Sequence, residues 1–159
     1  MSVISLDTQL LYWAIIQRPP MGHEHVLGQV TRFLKWTVDN EHKVIVPSIV
    51  LSELLIGVPY DKQKYVLAQV TAHYRIVPFD LKASAVFAKM RRDHLIKHRL
   101  DDLLNPDTLH ATRSALKADI MIIATAIAHG AEILYSYDDK LRRLADSYIT
   151  ARNFTDELD

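Results

Sequence analysis

Cysteine is missing from all 159 residues, which removes disulfides and thiolate metal sites from consideration. No apolar run approaches the roughly 20 residues that a bilayer crossing needs. The opening MSVISLD has no basic segment and turns acidic at its seventh residue, so no signal peptide is read and a cytoplasmic protein away from the membrane is expected. An excess of either charge is also lacking, since 19 basic and 19 acidic residues balance to zero. Long-range attraction to nucleic acid therefore gets no support from the whole chain, and such a partner must be met by local groups. There is no internal repeat, low-complexity stretch or linker-like composition, and the length suits one domain over residues 1–159. What the chain does have is apolar content, 49% of its residues, enough for a sizeable core.

Short apolar runs alternate with helical patterns. Val3 to Leu6, Val44 to Val46, Arg75 to Pro78 and Ile133 to Tyr135 read as strands, and a last strand is expected at Tyr148 to Thr150. Between them, Leu10, Leu11, Ala14 and Ile15 recur at helical spacing. Val26, Val30, Phe33, Leu34 and Thr37 mark one face of a helix over Val26 to Asn40. Pro47 ends the second strand, and Ser48 opens a helix to about Gly57. Further helices are predicted from Lys62 to His73, after the capping Asp80, from the Asn105-Pro106-Asp107 break to about Ser114, from Lys117 to His129 before Gly130, and from Asp138 to Ala145. This alternation implies an α/β class: a three-layer α/β/α sandwich around a mostly parallel sheet of four or five strands.

Active sites of open parallel sheets form at the carboxyl ends of the strands. Asp7 directly follows the first strand, Glu53 lies in the helix after the second, and Asp138 follows the fourth. Asp119 is expected near the start of the helix that feeds the fourth strand. Each has a plain structural role open to it. Asp7 and Asp138 are placed as helix N-caps, and Asp119 fits a first helical turn. Glu53 is less easily explained, because its helical neighbours Ile49, Val50, Ile56 and Gly57 offer no polar partner. Four carboxylates gathered at strand ends would repel one another unless a divalent cation relieved them. Mg²⁺ or Mn²⁺ suits an all-oxygen set, and such ions assist hydrolysis of phosphodiesters.

The segments ISLDTQLL, VPSIVLSELLIG and ADIMIIATAIAHGAEILYSYDDKLRRLA, in that order, resemble the motifs of PIN-domain proteins, in particular the VapC-like toxins of toxin–antitoxin pairs. The likeness runs from Val3 to about Ala145. It implies an Mg²⁺- or Mn²⁺-dependent endoribonuclease with Asp7, Glu53, Asp119 and Asp138 as catalytic metal ligands. Thr8 and Ser136 would be supporting hydroxyls, and Asp139 could share the role of Asp138. The toxin likeness also implies a homodimer paired with an antitoxin protein. The sequence departs from the pattern at Gln9, where the family commonly has Asn, and in a long Arg91–Ser114 segment.

An RNA substrate needs positive charge and stacking groups. Arg91, Arg92, Lys97 and Arg99 form a basic stretch, and Arg113 and Lys117 stand near Asp119. His94 and His98 are one helical turn apart, but a charged exposed face explains them without zinc, as a Pro/Gly loop explains His23-Glu24-His25. Two other functions compete with the toxin. One is a PIN-type RNA-processing nuclease outside any toxin pair, and the other is a catalytically silent binding module that keeps the fold.

Overall fold

The structure is a computed structural model that describes residues 1–104 and 109–158, with the backbone alone for 95–104 and 109–114. The Asn105-Pro106-Asp107 break lies outside the described residues. Along the chain run β1 (Val3–Leu6), α1 (Thr8–Ile15), α2 (His25–Asp39), β2 (Lys43–Pro47), α3 (Ser48–Ile56), α4 (Tyr60–His73) and β3 (Arg75–Val77). Then come α5 (Leu81–Leu104), α6 (Leu109–Ala128), β4 (Ile133–Tyr135), α7 (Asp139–Ala145), β5 (Thr150–Arg152) and a 3-10 turn at Phe154–Glu157.

All five strands are parallel, in the order β3-β2-β1-β4-β5. The chain lays strands outward on one side of β1, then returns to add β4 and β5 on the other. The strand order therefore reverses between β1 and β4, the place where doubly wound sheets open a crevice at their carboxyl edge.

Side-chain alternation divides the core into two layers. Ile4 and Leu6 of β1, Val46 of β2 and Tyr135 of β4 face α1, α2, α3 and α4. Leu134 of β4 faces the other way, onto Met90 of α5, Ile120, Ile123 and Ala124 of α6, and Leu141 of α7. The expected stripe on α2 is present, with Val26, Val30, Phe33 and Thr37 buried. Asp80 caps α5 by accepting from the Ala83 amide at 3.0 Å. Gly130 takes φ +79° just beyond α6, a left-handed stop that suits glycine.

Two boundaries differ from expectation. The pair of helices foreseen between residues 107 and 129 is one helix from Leu109 to Ala128, since Ala115-Leu116-Lys117-Ala118 contains only strong helix formers. The last strand begins at Thr150 rather than Tyr148. The Tyr148 and Ile149 amides bond back to the Ala145 carbonyl, at 2.8 and 2.9 Å, as α7 ends.

Candidate active site at the carboxyl edge of the sheet

Asp7 stands where β1 stops and α1 starts. Its amide still donates to the Tyr135 carbonyl of β4 at 3.2 Å, while its Oδ1 accepts from the Leu10 amide at 3.0 Å. It is therefore the N-cap of α1, and only 3% exposed. Its second oxygen, Oδ2, accepts a hydrogen bond from the Ser136 hydroxyl at the end of β4. Ser136 Oγ in turn accepts from the Asp138 amide at 2.9 Å. Asp138 caps α7 through the Lys140 and Leu141 amides, at 2.7 and 3.3 Å to its Oδ1. The adjacent ends of β1 and β4 thus carry two aspartates linked through one serine.

Glu53 comes from α3 and is half-buried. Its Oε2 accepts a hydrogen bond from the Thr8 hydroxyl of α1, so the partner missing from its own helix is supplied by a neighbouring one. The apolar stripe read around it is buried only in part: Val50 faces the core, whereas Ile56 is 84% exposed. Asp119 lies well inside α6, ten residues after its start, so the helix-terminus explanation for it fails. It shares the stripe of Ile122, three residues on, while Ile120 and Ile123 turn into the second core.

These four carboxylates line one cleft of about 450 Å³, together with Thr8, Gln9, Tyr12, Leu54, Gly57, Ile122 and Leu141. They sense one another. Burial lifts the Asp7 carboxyl from 3.8 to about 6 against the opposing hydrogen bonds from Ser136 and Leu10, with Asp138 and Glu53 adding repulsion. Asp119 also rises to about 6, through burial first and then the charges of Asp138 and Glu53. Among the described residues, none that lines the cleft is basic, and the donor atoms they offer a cation are oxygens. Among the described residues, no three acidic or histidine side chains close into a finished metal cage. An open, mutually repelling carboxylate set fits a hard divalent cation that keeps several of its own waters.

The other expected residues whose side chains are described fall outside the cleft. Asp139 pairs outward with Arg142 and Arg143, which separates it from Asp138. Arg91 is half-buried, Arg92 and Lys117 are exposed, and none of the three lines the cleft. The side chains of Lys97, Arg99, Arg113 and His98 lie outside the described residues. His23 lies in the loop before α2 and His25 opens that helix, both exposed, with their rings 6.0 Å apart. Sequence reasoning missed Tyr12 and Gly57. The signal for Tyr12 was its spacing, one helical turn beyond Thr8 and three residues beyond Gln9.

Among the described residues, no helix is long and apolar enough to cross a membrane. Comparison with curated protein sequences finds no match. Solved structures do resemble the fold. The VapBC2 complex of Rickettsia felis, bound to a DNA fragment from its promoter, has a chain with a TM-score of 0.64 at 19% identity. That alignment covers 95% of this chain and 98% of the other. VapBC-1 of nontypeable Haemophilus influenzae gives 0.63 at 14% identity, covering 96% and 98%. DNA-bound VapBC of Salmonella typhimurium gives 0.61 at 17%, covering 97% and 99%. The PIN domain model matches residues 4–147, a span that includes all four cleft carboxylates. The chain belongs to the PIN-domain family, whose members are nucleases.

Proposed function

We propose that this chain is a single-domain, Mg²⁺- or Mn²⁺-dependent endoribonuclease, the toxin of a cytoplasmic toxin–antitoxin pair. The observation that carries the nuclease assignment is the convergence of Asp7, Glu53, Asp119 and Asp138 on one cleft at the switch point of the sheet. These four would hold the cation. When bound, it would polarise a phosphoryl oxygen and make a coordinated water more acidic. The chain's own groups restrain the carboxylates. Ser136 orients Asp7 and the Asp138 amide, Thr8 orients Glu53, and the starts of α1 and α7 fix the capping oxygens of Asp7 and Asp138. A preset constellation of this kind saves reorganisation when charge develops on the phosphate.

The toxin role is supported by the fold shared with VapBC chains over nearly their whole length. Pairing with a small antitoxin protein and assembly as a homodimer belong to the same proposal. The test is cleavage of single-stranded RNA with Mg²⁺ or Mn²⁺. Asp7→Asn and Glu53→Gln should each lower the rate on the order of 100-fold or more, as expected when transition-state charge stabilisation is lost. Chelation by EDTA should abolish cleavage, and Mn²⁺ should restore it. Undiminished activity in either variant would refute the assignment. Co-expression with the protein encoded beside this chain should silence the activity if that protein is the antitoxin.

A further inference from the structure

The cleft has two kinds of lining. Four carboxylates and four larger apolar or aromatic residues, Tyr12, Leu54, Ile122 and Leu141, share it. Among the described residues, no lysine, arginine or histidine lines the cleft, so none of them pairs with a phosphate there. The apolar lining is equally unsuited to a polyanion's backbone, but it suits the flat face of a nucleobase.

Helix α1 contributes three of the lining residues. Thr8, Gln9 and Tyr12 lie at i, i+1 and i+4 and line the cleft together. Thr8 is engaged with Glu53. Tyr12, one turn further on, is half-buried, with part of its surface left open. Gln9 is exposed and carries an amide that can donate and accept. Gly57, also in the lining, ends α3 at φ −81°, ψ 0°, a conformation open to any residue. A Cβ there would meet only the Leu54 carbonyl, at 3.7 Å. The backbone does not require glycine at that point, and the missing side chain leaves that wall of the cleft clear.

Resting on the nuclease assignment above, we propose that Tyr12 and Gln9 form a nucleobase subsite beside the carboxylates. It would hold one unpaired base of single-stranded RNA next to the scissile phosphate. Tyr12 supplies the ring face and Gln9 reads the base edge. Affinity at the cleavage position then comes from stacking rather than from pairing with phosphate.

The test separates binding from cleavage. Short oligoribonucleotides, each with one abasic ribose at a different position, are titrated against the Asp7→Asn chain in Mg²⁺ by fluorescence anisotropy. One abasic position should weaken binding roughly 5- to 100-fold, the range for loss of a stacked base. Adding Tyr12→Ala should weaken the intact oligonucleotide by a similar factor and erase the penalty at that same position, because coupled partners are not additive. Tyr12→Phe should restore both, and thermal melting of each variant confirms that it is folded. Gly57→Trp should block the subsite and mimic Tyr12→Ala. Independent, additive losses from Tyr12→Ala and the abasic ribose would overturn the subsite, as would a chain that does not bind RNA. If Asp7→Asn and Glu53→Gln stop cleavage while Tyr12→Ala changes neither affinity nor cleavage, the subsite is wrong and the nuclease assignment stands.

Discussion

Asp7 is asked to do three things at once, and their energies conflict. It caps α1, it holds Ser136, and it keeps a carboxylate in a site from which water is largely excluded. Capping and the serine bond favour the charged form, but burial and the neighbouring carboxylates outweigh them and bring the group to about 6. The folded chain thus holds this proton more tightly than the unfolded chain, where the group sits near 3.8. Between about pH 4 and 6 the folded state binds the extra proton, so stability falls as pH rises through that window. Asn is as good a cap as Asp and carries no charge. In EDTA, Asp7→Asn should therefore be more stable than the parent at pH 7, by about 3 kcal/mol for a shift of this size. The gain should vanish near pH 4. Thermal melts across that range check it, and a less stable variant at pH 7 would contradict the electrostatics. Mg²⁺ should then stabilise the parent more than the variant, because binding to the folded state alone shifts the melt.

At the scale of elements, what was legible in the sequence depended on whether local chemistry alone decided the matter. The stripe of α2, the Asp80 cap and the glycine stop after α6 are set within a few residues, and each reads directly. The cleft needs four elements to meet. The positions of Asp7 and Asp138 could be read because strand ends announce themselves. The partner of Glu53 could not, because Thr8 is 45 residues away. Asp119 reads as a helix start only because the sequence does not show that α6 already begins at Leu109. The 3-10 turn at Phe154–Glu157 gave no warning at all, yet it anchors the first core layer. Phe154 is fully buried, with its ring 6.4 Å from Trp13 of α1 and 5.7 Å from Phe33 of α2. Asn153 closes a capping box around the turn, and Glu157 accepts from the Tyr135 hydroxyl at 2.8 Å and pairs with Arg152. Since α1 carries Asp7 at its cap, this turn supports the active edge from behind. Phe154→Ala should cost about 3 to 5 kcal/mol of stability, the usual range for emptying a buried phenylalanine site. Urea melts measure it, and a loss under 1 kcal/mol would mean that the turn is not part of the core.

Over the whole molecule, the charges balance to zero, yet they are not evenly placed. Among the described residues, the cleft concentrates four carboxylates and no basic side chain, so an RNA strand passing along them meets repulsion wherever a cation does not intervene. Phosphates on either side of the bond being cut must find positive charge beyond the rim. Helices α5 and α6 pack against each other and present Arg91, Arg92 and Lys117, the last only two residues from Asp119. Arg92 and Lys117 are exposed, so charge reversal there leaves the core intact. If these residues hold flanking phosphates, Arg92→Glu with Lys117→Glu should weaken RNA binding most at low salt. The slope of log affinity against log salt should flatten by about 0.7 for each phosphate contact removed, hence roughly 1.4 for the pair. Cleavage at saturating RNA should change far less, since neither residue lines the cleft. A salt slope unchanged by the double substitution would remove α5 and α6 from the substrate path and require another basic surface to hold the strand.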